Sequence, residues 1–235
     1  METLKYRRIL LKLSGEALGA PGDEDFFDRL NGLAQRIGEL VRAGVKLGIV
    51  VGGGNIWRAR HGQSFERNRA DHMGMLATAI NGLALQDALL RADVPCRVLS
   101  AVSMERFCDT FTSRLANELL DEGTVVIFAC GSGSPFFTTD TAASLRACEI
   151  GADALLLAKN VDAIYDKNPD EYPDAVRLTH PTYDEILAKN IRALDLTAVT
   201  MCKEAKIPIA VFALRSESSI MDACMGKNIG TLVDS

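Results

Sequence analysis

Short apolar runs alternate along this chain with segments that repeat apolar residues at helical spacing. The apolar runs predict buried strands at residues 8–13, 45–51, 96–100, 124–129, 153–158 and 207–212, and a last edge strand at 231–233. Helical spacing occurs at residues 26–43, 73–90 and 141–150, and residues 104–120 predict a broken helix. Because parallel strands need a crossover that is usually a helix, the alternation is typical of a parallel sheet. We therefore predict an α/β fold, a three-layer sandwich with a mostly parallel central sheet.

A loop rich in Gly, Ser and Thr follows the strand at 124–129. Residues 131–140 of this loop are Gly-Ser-Gly-Ser-Pro-Phe-Phe-Thr-Thr-Asp. Glycines let backbone N–H groups approach an anion closely, and the helix that follows adds free N–H donors and the positive end of its dipole. Thr138 and Thr139 add hydroxyl donors, and the carboxylate of Asp140 suits a cation such as Mg²⁺ beside the anion. The loop therefore predicts a phosphate site.

Two further strands also end in glycine turns. The strand at 45–51 leads into Gly52-Gly53-Gly54-Asn55, and the strand at 8–13 leads into Ser14-Gly15. One such junction is common in α/β proteins, but three in one chain are more specific. Since the carboxyl ends of parallel strands share one edge of a sheet, we expect the three turns to lie together.

Lys12 interrupts the apolar residues of the first strand. An inward-facing lysine is costly to bury unless it meets an anion, whereas an outward-facing lysine on an alternating strand is common. Because Ser14 and Gly15 follow directly, we favour the interpretation in which Lys12 faces a phosphate. Arg58, just after the second glycine turn, is a second candidate cation.

Two aspartates each allow two interpretations. Asp71 begins the helix that carries residues 73–90, where it would serve as an N-cap or accept hydrogen bonds from sugar hydroxyls. Asp195 precedes another apolar helix and would serve as its cap or as the acid beside Lys12. The sequence leaves both pairs of alternatives open.

Composition excludes several classes of function. The net charge of −5 argues against nucleic acid as a partner. We find no signal peptide and no apolar stretch long enough to cross a bilayer, so we expect a cytoplasmic protein with no membrane partner. The six cysteines form no Cys-x-x-Cys pair and the three histidines are dispersed, which predicts buried free thiols and no zinc site.

The standard nucleotide-binding motifs, G-x-x-x-x-G-K-[ST] and G-x-G-x-x-G followed by an acidic residue, are absent from the sequence. The phosphate sites must therefore be built in another way. Five segments, in chain order, resemble those of bacterial-type uridylate kinases, which belong to the amino-acid-kinase superfamily. The segments are 10–18 (Leu-Leu-Lys-Leu-Ser-Gly-Glu-Ala-Leu), 51–55, 71–77 (Asp-His-Met-Gly-Met-Leu-Ala), 135–140 and 158–162. The similarity extends from about Tyr6 to Val233, nearly the whole chain.

The resemblance implies transfer of the γ-phosphoryl group of ATP to UMP, giving UDP and ADP in pyrimidine nucleotide biosynthesis, with Mg²⁺ as cofactor. It further implies a homohexamer that UTP inhibits. We expect one domain over residues 1–235, with a UMP-binding part at roughly 1–150 and an ATP-binding part at roughly 151–235. Because the acceptor is a phosphate oxygen that is largely ionised at neutral pH, no general base is needed.

The resemblance also implies roles for individual residues. It assigns to UMP the residues Gly53, Asp71, Ser132, Gly133, Ser134, Pro135, Phe136, Phe137, Thr138 and Thr139. It assigns to ATP the residues Lys12, Leu13, Ser14, Gly15, Gly54, Arg58, Lys159, Tyr165 and Asn168. Lys12, Asp140 and Asp195 are the expected catalytic residues, with Asp140 near Mg²⁺ and the reacting phosphates and with Asp195 orienting Lys12.

Three departures from the family pattern bear on function. Residues 19–27 stand where the family has a Gly-rich segment linked to activation by GTP, and here they are acidic, so GTP activation is doubtful. Ser132 and Ser134 replace a common Thr and Asn, and Asn168 replaces a frequent Asp. Two alternatives remain: a kinase of carbamate or an amino-acid carboxylate, and a relative that binds nucleotide without turnover.

Overall fold

The centre of the molecule is an eight-stranded sheet. The computed structural model describes residues 3–58, 65–159, 161–169, 171–214 and 219–235. The strands of the sheet are β1 (Arg8–Leu13), β2 (Lys46–Val51), β3 (Cys96–Ser100), β4 (Asp109–Thr110), β5 (Val125–Ala129), β6 (Ala154–Lys159), β9 (Ile209–Ala213) and β10 (Thr231–Val233). A separate antiparallel hairpin consists of β7 (Ile164–Tyr165) and β8 (Arg177–Leu178). The sheet order is β10-β9-β6-β1-β2-β5-β3-β4, and only β10 is antiparallel to its neighbour. The predicted mostly parallel α/β sheet is confirmed.

Helices cover both faces of the sheet. They are α1 (Gly15–Leu18), α2 (Phe26–Arg42), α3 (Arg67–Arg91), α4 (Ser113–Asp121), α5 (Thr139–Glu149), α6 (Tyr183–Ala188), α7 (Leu196–Ala205) and α8 (Ser219–Cys224). One buried core lies between the sheet and α2, α3 and α8, and a second lies between the sheet and α4, α5, α6 and α7. This arrangement is the predicted three-layer sandwich.

The alternation of side chains along β1 decides where Lys12 points. Ile9 and Leu11 belong to the core on the α2 side, and Leu10 packs in the core on the α5 side. Because successive side chains of a strand point to opposite faces, Lys12 faces the same side as Leu10. Lys12 is only 9% exposed, so the interpretation of an inward-facing lysine is confirmed.

The strand register brings the three predicted turns to one edge of the sheet. Leu13 of β1 pairs with Val51 of β2 and with Ala158 of β6, and Val50 pairs with Phe128 of β5. All four strands are parallel, so the turns that follow β1, β2 and β5 emerge side by side, as expected.

The helix α3 begins earlier than predicted. Its N-cap is Glu66, so Asp71 lies inside the helix and the capping interpretation of Asp71 is wrong. The residues before Asp71, Arg67 to Ala70, extend the helix, and the Arg67 guanidinium pairs with the Asp71 carboxylate one turn later. The chain is therefore already helical from Arg67 onward, ahead of the helical spacing at 73–90.

Only the second half of the predicted broken helix at 104–120 is helical. The first half contains turns followed by the two-residue strand β4, and Thr110, Phe111 and Thr112 disfavour a helix there because β-branched and aromatic side chains lose rotamer freedom in it. The Thr112 hydroxyl then accepts a hydrogen bond from the Leu115 N–H and starts α4.

One described helix, α3, has the length and composition of a membrane span, so the expectation that no apolar stretch reaches that length is wrong. Part of this helix is buried in the molecule: Ala79, Leu85 and Leu89 pack in the core against the sheet. Packing on a sheet accounts for the apolar composition of such a helix, which makes it weak evidence for a membrane partner.

The cysteines agree with the prediction from their spacing. All six are free, and Cys96, Cys130, Cys202 and Cys224 are buried while Cys108 and Cys148 are partly buried. Burial raises the pKa of the Cys96 thiol to about 11, so it stays protonated at neutral pH.

Candidate active site

Two cavities open at the sheet edge where the glycine turns meet. The first has a volume of about 620 Å³ and is lined by the turns after β1 and β2, by the start of α3 and by the loop after β5. The second, about 650 Å³, lies beside β6 and the β7–β8 hairpin. Lys12 and Ser14 line both cavities. The site therefore has two compartments of ligand size that meet at one lysine.

Asp140 holds Lys12 at this junction. The Lys12 Nζ lies 2.9 Å from Asp140 Oδ1, and the Lys159 Nζ lies 2.8 Å from Asp140 Oδ2. Burial alone would raise the pKa of the Asp140 carboxyl, but the two ammonium groups outweigh it and lower that pKa below its ordinary value. The trio thus carries two positive charges against one negative charge. Lys159 also donates a hydrogen bond to the Ala193 carbonyl, 2.7 Å away, on the side of the second cavity.

Asp195 has two sets of partners. It is the N-cap of α7, where its Oδ1 accepts hydrogen bonds from the N–H groups of Thr197 and Ala198. Its Oδ2 accepts hydrogen bonds from the hydroxyls of Thr138, at 2.6 Å, and Thr141, at 3.0 Å. Burial raises the pKa of this carboxyl, and the four hydrogen bonds together lower it below the ordinary value.

The expected contact between Asp195 and Lys12 is therefore corrected. The carboxylate that contacts Lys12 is Asp140, at the start of α5, because α5 packs over β1 on the side that Lys12 faces. Asp195 instead joins α7 to the start of α5 through Thr138 and Thr141. Sequence reasoning missed Thr141, although its position directly after Asp140 was a usable signal.

The 131–138 loop (Gly131 to Thr138) is held over the first cavity by Asp71. The Asp71 Oδ2 accepts a hydrogen bond of 2.9 Å from the Phe136 N–H and another of 2.9 Å from Arg67 Nε. Phe136 has a φ of 70°, a left-handed conformation that is strained for a residue with a side chain. The Asp71 contact therefore stabilises a backbone shape that the loop would not adopt alone. Arg67, which also lies over the Phe136 ring, was missed by the sequence analysis.

Glycine is required where the first two turns touch. A Cβ on Gly15 would lie 2.5 Å from the Asn55 Oδ1 and 2.7 Å from the Gly54 nitrogen. A Cβ on Gly53 would lie 2.8 Å from the Gly74 carbonyl oxygen in α3. Because these glycines have no Cβ, the backbone N–H groups of the turns are accessible to a ligand, as an anion site needs.

Arg58 lies in the first cavity with a partner that the sequence analysis did not identify. Its Nε donates a hydrogen bond of 3.1 Å to the Gly54 carbonyl, and its Nη2 pairs with the Glu16 carboxylate. Both side chains line the cavity and both are partly exposed. A polyanion that binds Arg58 must therefore displace Glu16 or share the guanidinium with it.

Two polar side chains that line the second cavity have hydrogen-bond partners three residues away. The Tyr165 hydroxyl donates to Asp162 Oδ1 at 3.1 Å, and the Asn168 amide donates to Glu171 Oε1 at 2.9 Å. Tyr165, Asn168 and Lys159, the residues expected on the adenosine side, all line this cavity.

The other expected residues fall into two groups. Those that line the first cavity are Lys12, Ser14, Gly15, Gly53, Gly54, Arg58, Asp71, Ser132, Ser134, Phe137, Thr138 and Thr139. Those that line neither cavity are Leu13, Gly133, Pro135, Phe136, Asp140 and Asp195. Leu13 is buried in the core, Asp140 acts on the cavities through its lysines, and Gly133 packs against Ala101.

A protein-held magnesium site does not fit these residues. In the part of the chain that the structure describes, no three His, Cys, Asp or Glu side chains converge. Each oxygen of Asp140 already contacts a lysine ammonium, which opposes a divalent cation at the same oxygens.

Comparisons with known proteins agree with this architecture. Residues 7–213 match the model of the Amino acid kinase family. A UMP kinase from Bacillus anthracis superposes with a TM-score of 0.92 at 32% identity, over 97% of this chain and 96% of that one. A UMP kinase from Ureaplasma parvum has a TM-score of 0.91 at 36% identity, over 99% of this chain and 100% of that one. A uridylate kinase from Archaeoglobus fulgidus has a TM-score of 0.74 at 25% identity, over 96% and 99% of the two chains.

Proposed function

We propose that this chain, which belongs to the amino acid kinase family, is a UMP kinase that transfers the γ-phosphoryl group of ATP to UMP, giving UDP and ADP. The observation that carries the proposal is the pair of cavities that meet at Lys12. One compartment for each nucleotide, with a cation between them, is what direct transfer between two bound phosphates requires.

The chemistry needs positive charge rather than a general base. The attacking oxygen of UMP is already largely ionised at neutral pH, because the second pKa of a phosphate monoester is about 6. The difficulty is to bring two polyanions together and to stabilise the charge on the transferring group. Lys12, Lys159 and Arg58 supply cations around the junction, and the glycine turns supply backbone N–H groups.

Lys12 has the central role. Its ammonium group stabilises the phosphoryl group in the transition state of transfer. Asp140 fixes the direction in which the ammonium group points. Lys159 also contacts Asp140, so Lys12, Lys159 and Asp140 together carry a net positive charge. This charge is in place before either phosphate binds.

The first cavity takes UMP. Asp71 binds the acceptor nucleotide, and the hydroxyls of Thr138 and Thr139 at the start of α5 face the same space. The second cavity takes the adenosine half of ATP, between Tyr165, Asn168 and Lys159. Apart from the shared Lys12 and Ser14, the lining of the first cavity comes from residues before 150 and the lining of the second from residues after 151. This supports a UMP-binding part at roughly residues 1–150 and an ATP-binding part at roughly 151–235.

Mg²⁺ enters with ATP and is held mainly by the nucleotide phosphates. This follows from the donor set, because Asp140 is the acid nearest the junction and both of its oxygens contact ammonium groups. The chain's own cations then neutralise the rest of the phosphate charge.

Assembly and regulation complete the proposal. The enzyme is a cytoplasmic homohexamer of pyrimidine nucleotide biosynthesis that UTP inhibits and that binds neither nucleic acid nor membrane. Exposed Leu76, Ile80 and Leu90 on the outer face of α3 support self-association. GTP activation is weak or absent, because exposed acidic residues 23–25 would repel a triphosphate. A several-fold rise in rate with GTP at fixed ATP and UMP would contradict this last point.

The test is ADP release from Mg·ATP with UMP, CMP, dUMP, carbamate and N-acetylglutamate offered side by side. We expect turnover with UMP and none with carbamate or N-acetylglutamate. Turnover with a carboxylate or carbamate would identify a different kinase of the family. Binding of ATP with no turnover on any acceptor would instead identify a nucleotide-binding relative that is not an enzyme.

A further inference from the structure

Arg146 of α5 is buried and contacts the start of the 131–138 loop, although it lines neither cavity. Its side chain is 5% exposed, which is unusual for a charged group unless its N–H groups are paired. Its Nη1 lies 2.5 Å from Glu149 Oε2, and its Nη2 donates a hydrogen bond of 3.2 Å to the Gly131 carbonyl. Its guanidinium carbon lies 3.9 Å from the centre of the Phe111 ring, so a cation–π contact fixes its position.

The carbonyl that Arg146 holds belongs to the turn that begins the loop. Cys130 and Gly131 have consecutive positive φ values of 60° and 58°, which redirect the chain as it leaves β5. The Cys130 N–H donates a hydrogen bond of 2.8 Å to the buried Thr78 hydroxyl of α3. The turn is therefore fixed from one side by α3 and from the other by Arg146 of α5.

We propose that Arg146 is a positioning residue for the acceptor nucleotide, acting through the Gly131 carbonyl on the 131–138 loop. By fixing the first turn of the loop, it sets the direction in which Ser132, Ser134 and Thr138 face the first cavity. The inference rests on the proposed function in one respect, namely that this cavity takes UMP.

Arg8 provides a matched control. Its Nη1 donates a hydrogen bond of 2.9 Å to the Ile150 carbonyl, and its Nη2 lies 2.5 Å from Asp121 Oδ1. It therefore also joins an acid to a backbone carbonyl. It lies at the start of β1, however, at the amino-terminal end of the parallel strands, whereas the cavities lie at their carboxyl ends. If Arg146 has only a structural role, the two arginines should behave alike.

The experiment compares Arg146→Met, Arg146→Lys and Arg8→Met in the full chain. It measures the melting temperature, the KM values for UMP and ATP, and hydrogen exchange of the loop amides. We expect Arg146→Met to raise the KM for UMP about tenfold, as for loss of a charged hydrogen bond, with the KM for ATP unchanged. Exchange should become faster in the 131–138 loop. Arg146→Lys should recover part of the loss, because lysine keeps the charge but lacks the planar fork that reaches both partners. Arg8→Met should lower the melting temperature and leave both KM values unchanged.

An unchanged KM for UMP and unchanged loop exchange in folded Arg146→Met would overturn the inference. An equal rise in both KM values would also overturn it, because it would indicate general loosening. If Arg146→Met does not fold, Arg146→Lys decides by the same two readouts. If the wild-type chain does not phosphorylate UMP, the proposed function fails on its own. The loop exchange then still tests the positioning role: faster exchange confined to the loop supports it, and unchanged exchange rejects it.

Discussion

The two cavities are built in different ways. The 131–138 loop over the first cavity is held from three helices, by Asp71 of α3, Arg146 of α5 and Asp195 at the start of α7. In the second cavity, Lys159 is held by Asp140 and the Ala193 carbonyl, while Tyr165 donates to Asp162 and Asn168 donates to Glu171, each three residues away. A surface fixed by distant elements is pre-organised, whereas one held by local contacts can adapt to its ligand. We infer that the first cavity is more rigid and more selective for its ligand than the second.

The largest expected effect belongs to the residue that both compartments share. Lys12→Met should lower kcat about 1000-fold, because it removes a cation placed at the developing charge, while the KM values change less. Since Lys159 still contacts Asp140, no buried carboxylate is left unpaired, and the variant should fold. Steady-state kinetics with a melting curve checks this.

Lys46→Met is the matched control, because Lys46 is also a strand lysine paired with an aspartate, Asp121, but lies at the start of β2. Its kcat should equal that of the wild type. Near-normal turnover in Lys12→Met would show that the two compartments do not meet at this lysine.

Asp71→Ala should weaken ligand binding in the first cavity alone. The variant loses the carboxylate that accepts the Phe136 N–H, so the loop loses a contact that stabilises its strained backbone. We expect the KM for UMP to rise about tenfold and the KM for ATP to stay unchanged. Asp87→Ala is the control, because Asp87 forms the same kind of pair with Arg91 farther along α3. A normal KM for UMP in Asp71→Ala would end the distinction between the two cavities.

The loop's attachment to α7 should depend on pH. The folded-state pKa of Asp195 is lowered, so its ionised form stabilises the fold above the unfolded pKa of about 4, and this stability is lost as the pH falls through the lower, folded value. The melting temperature of the wild type should therefore fall below about pH 4 more steeply than that of Asp195→Asn. Parallel curves for the two proteins would contradict this role of Asp195.

The smallest expected effect is at Glu16. Because Glu16 pairs with Arg58 in the first cavity, Glu16→Gln should free the guanidinium to bind phosphate. The KM of the nucleotide whose phosphate Arg58 binds should then fall by about threefold, the scale of an exposed ion pair. Glu118→Gln, which alters a surface pair with Arg114, should change neither KM. A raised KM in Glu16→Gln would mean that Glu16 assists binding instead of competing with it.

The difference between the cavities also explains what the sequence could predict. The strands, the glycine turns and Lys12 follow from short patterns, since a strand's period and a turn's need for glycine are local properties. The acid that contacts Lys12 could not be identified in this way, because Asp140 and Asp195 both begin helices at the same sheet edge. Which of them faces Lys12 depends on how α5 packs over β1, which is a property of the whole fold.

Arg146 and Glu16 were missed for the same reason. A buried arginine in a helix and an acid after a glycine turn have no signal of their own, and their roles come from Gly131 and Arg58, which are distant in sequence. The sequence leaves a cap open for Asp71 because the apolar helical spacing starts only at Met73, whereas α3 begins at Arg67 and the Arg67–Asp71 ion pair lies within its first turns.

The central claim is direct transfer between two nucleotides bound at once on either side of Lys12. Its most direct test is to incubate the protein with ATP labelled at the γ-phosphorus, first alone and then with UMP, and to follow where the label goes. We predict that no label is found on the protein and that the label passes to UDP only after UMP is added. Label on the protein before UMP is added, or release of label to water with none in UDP, would contradict the account.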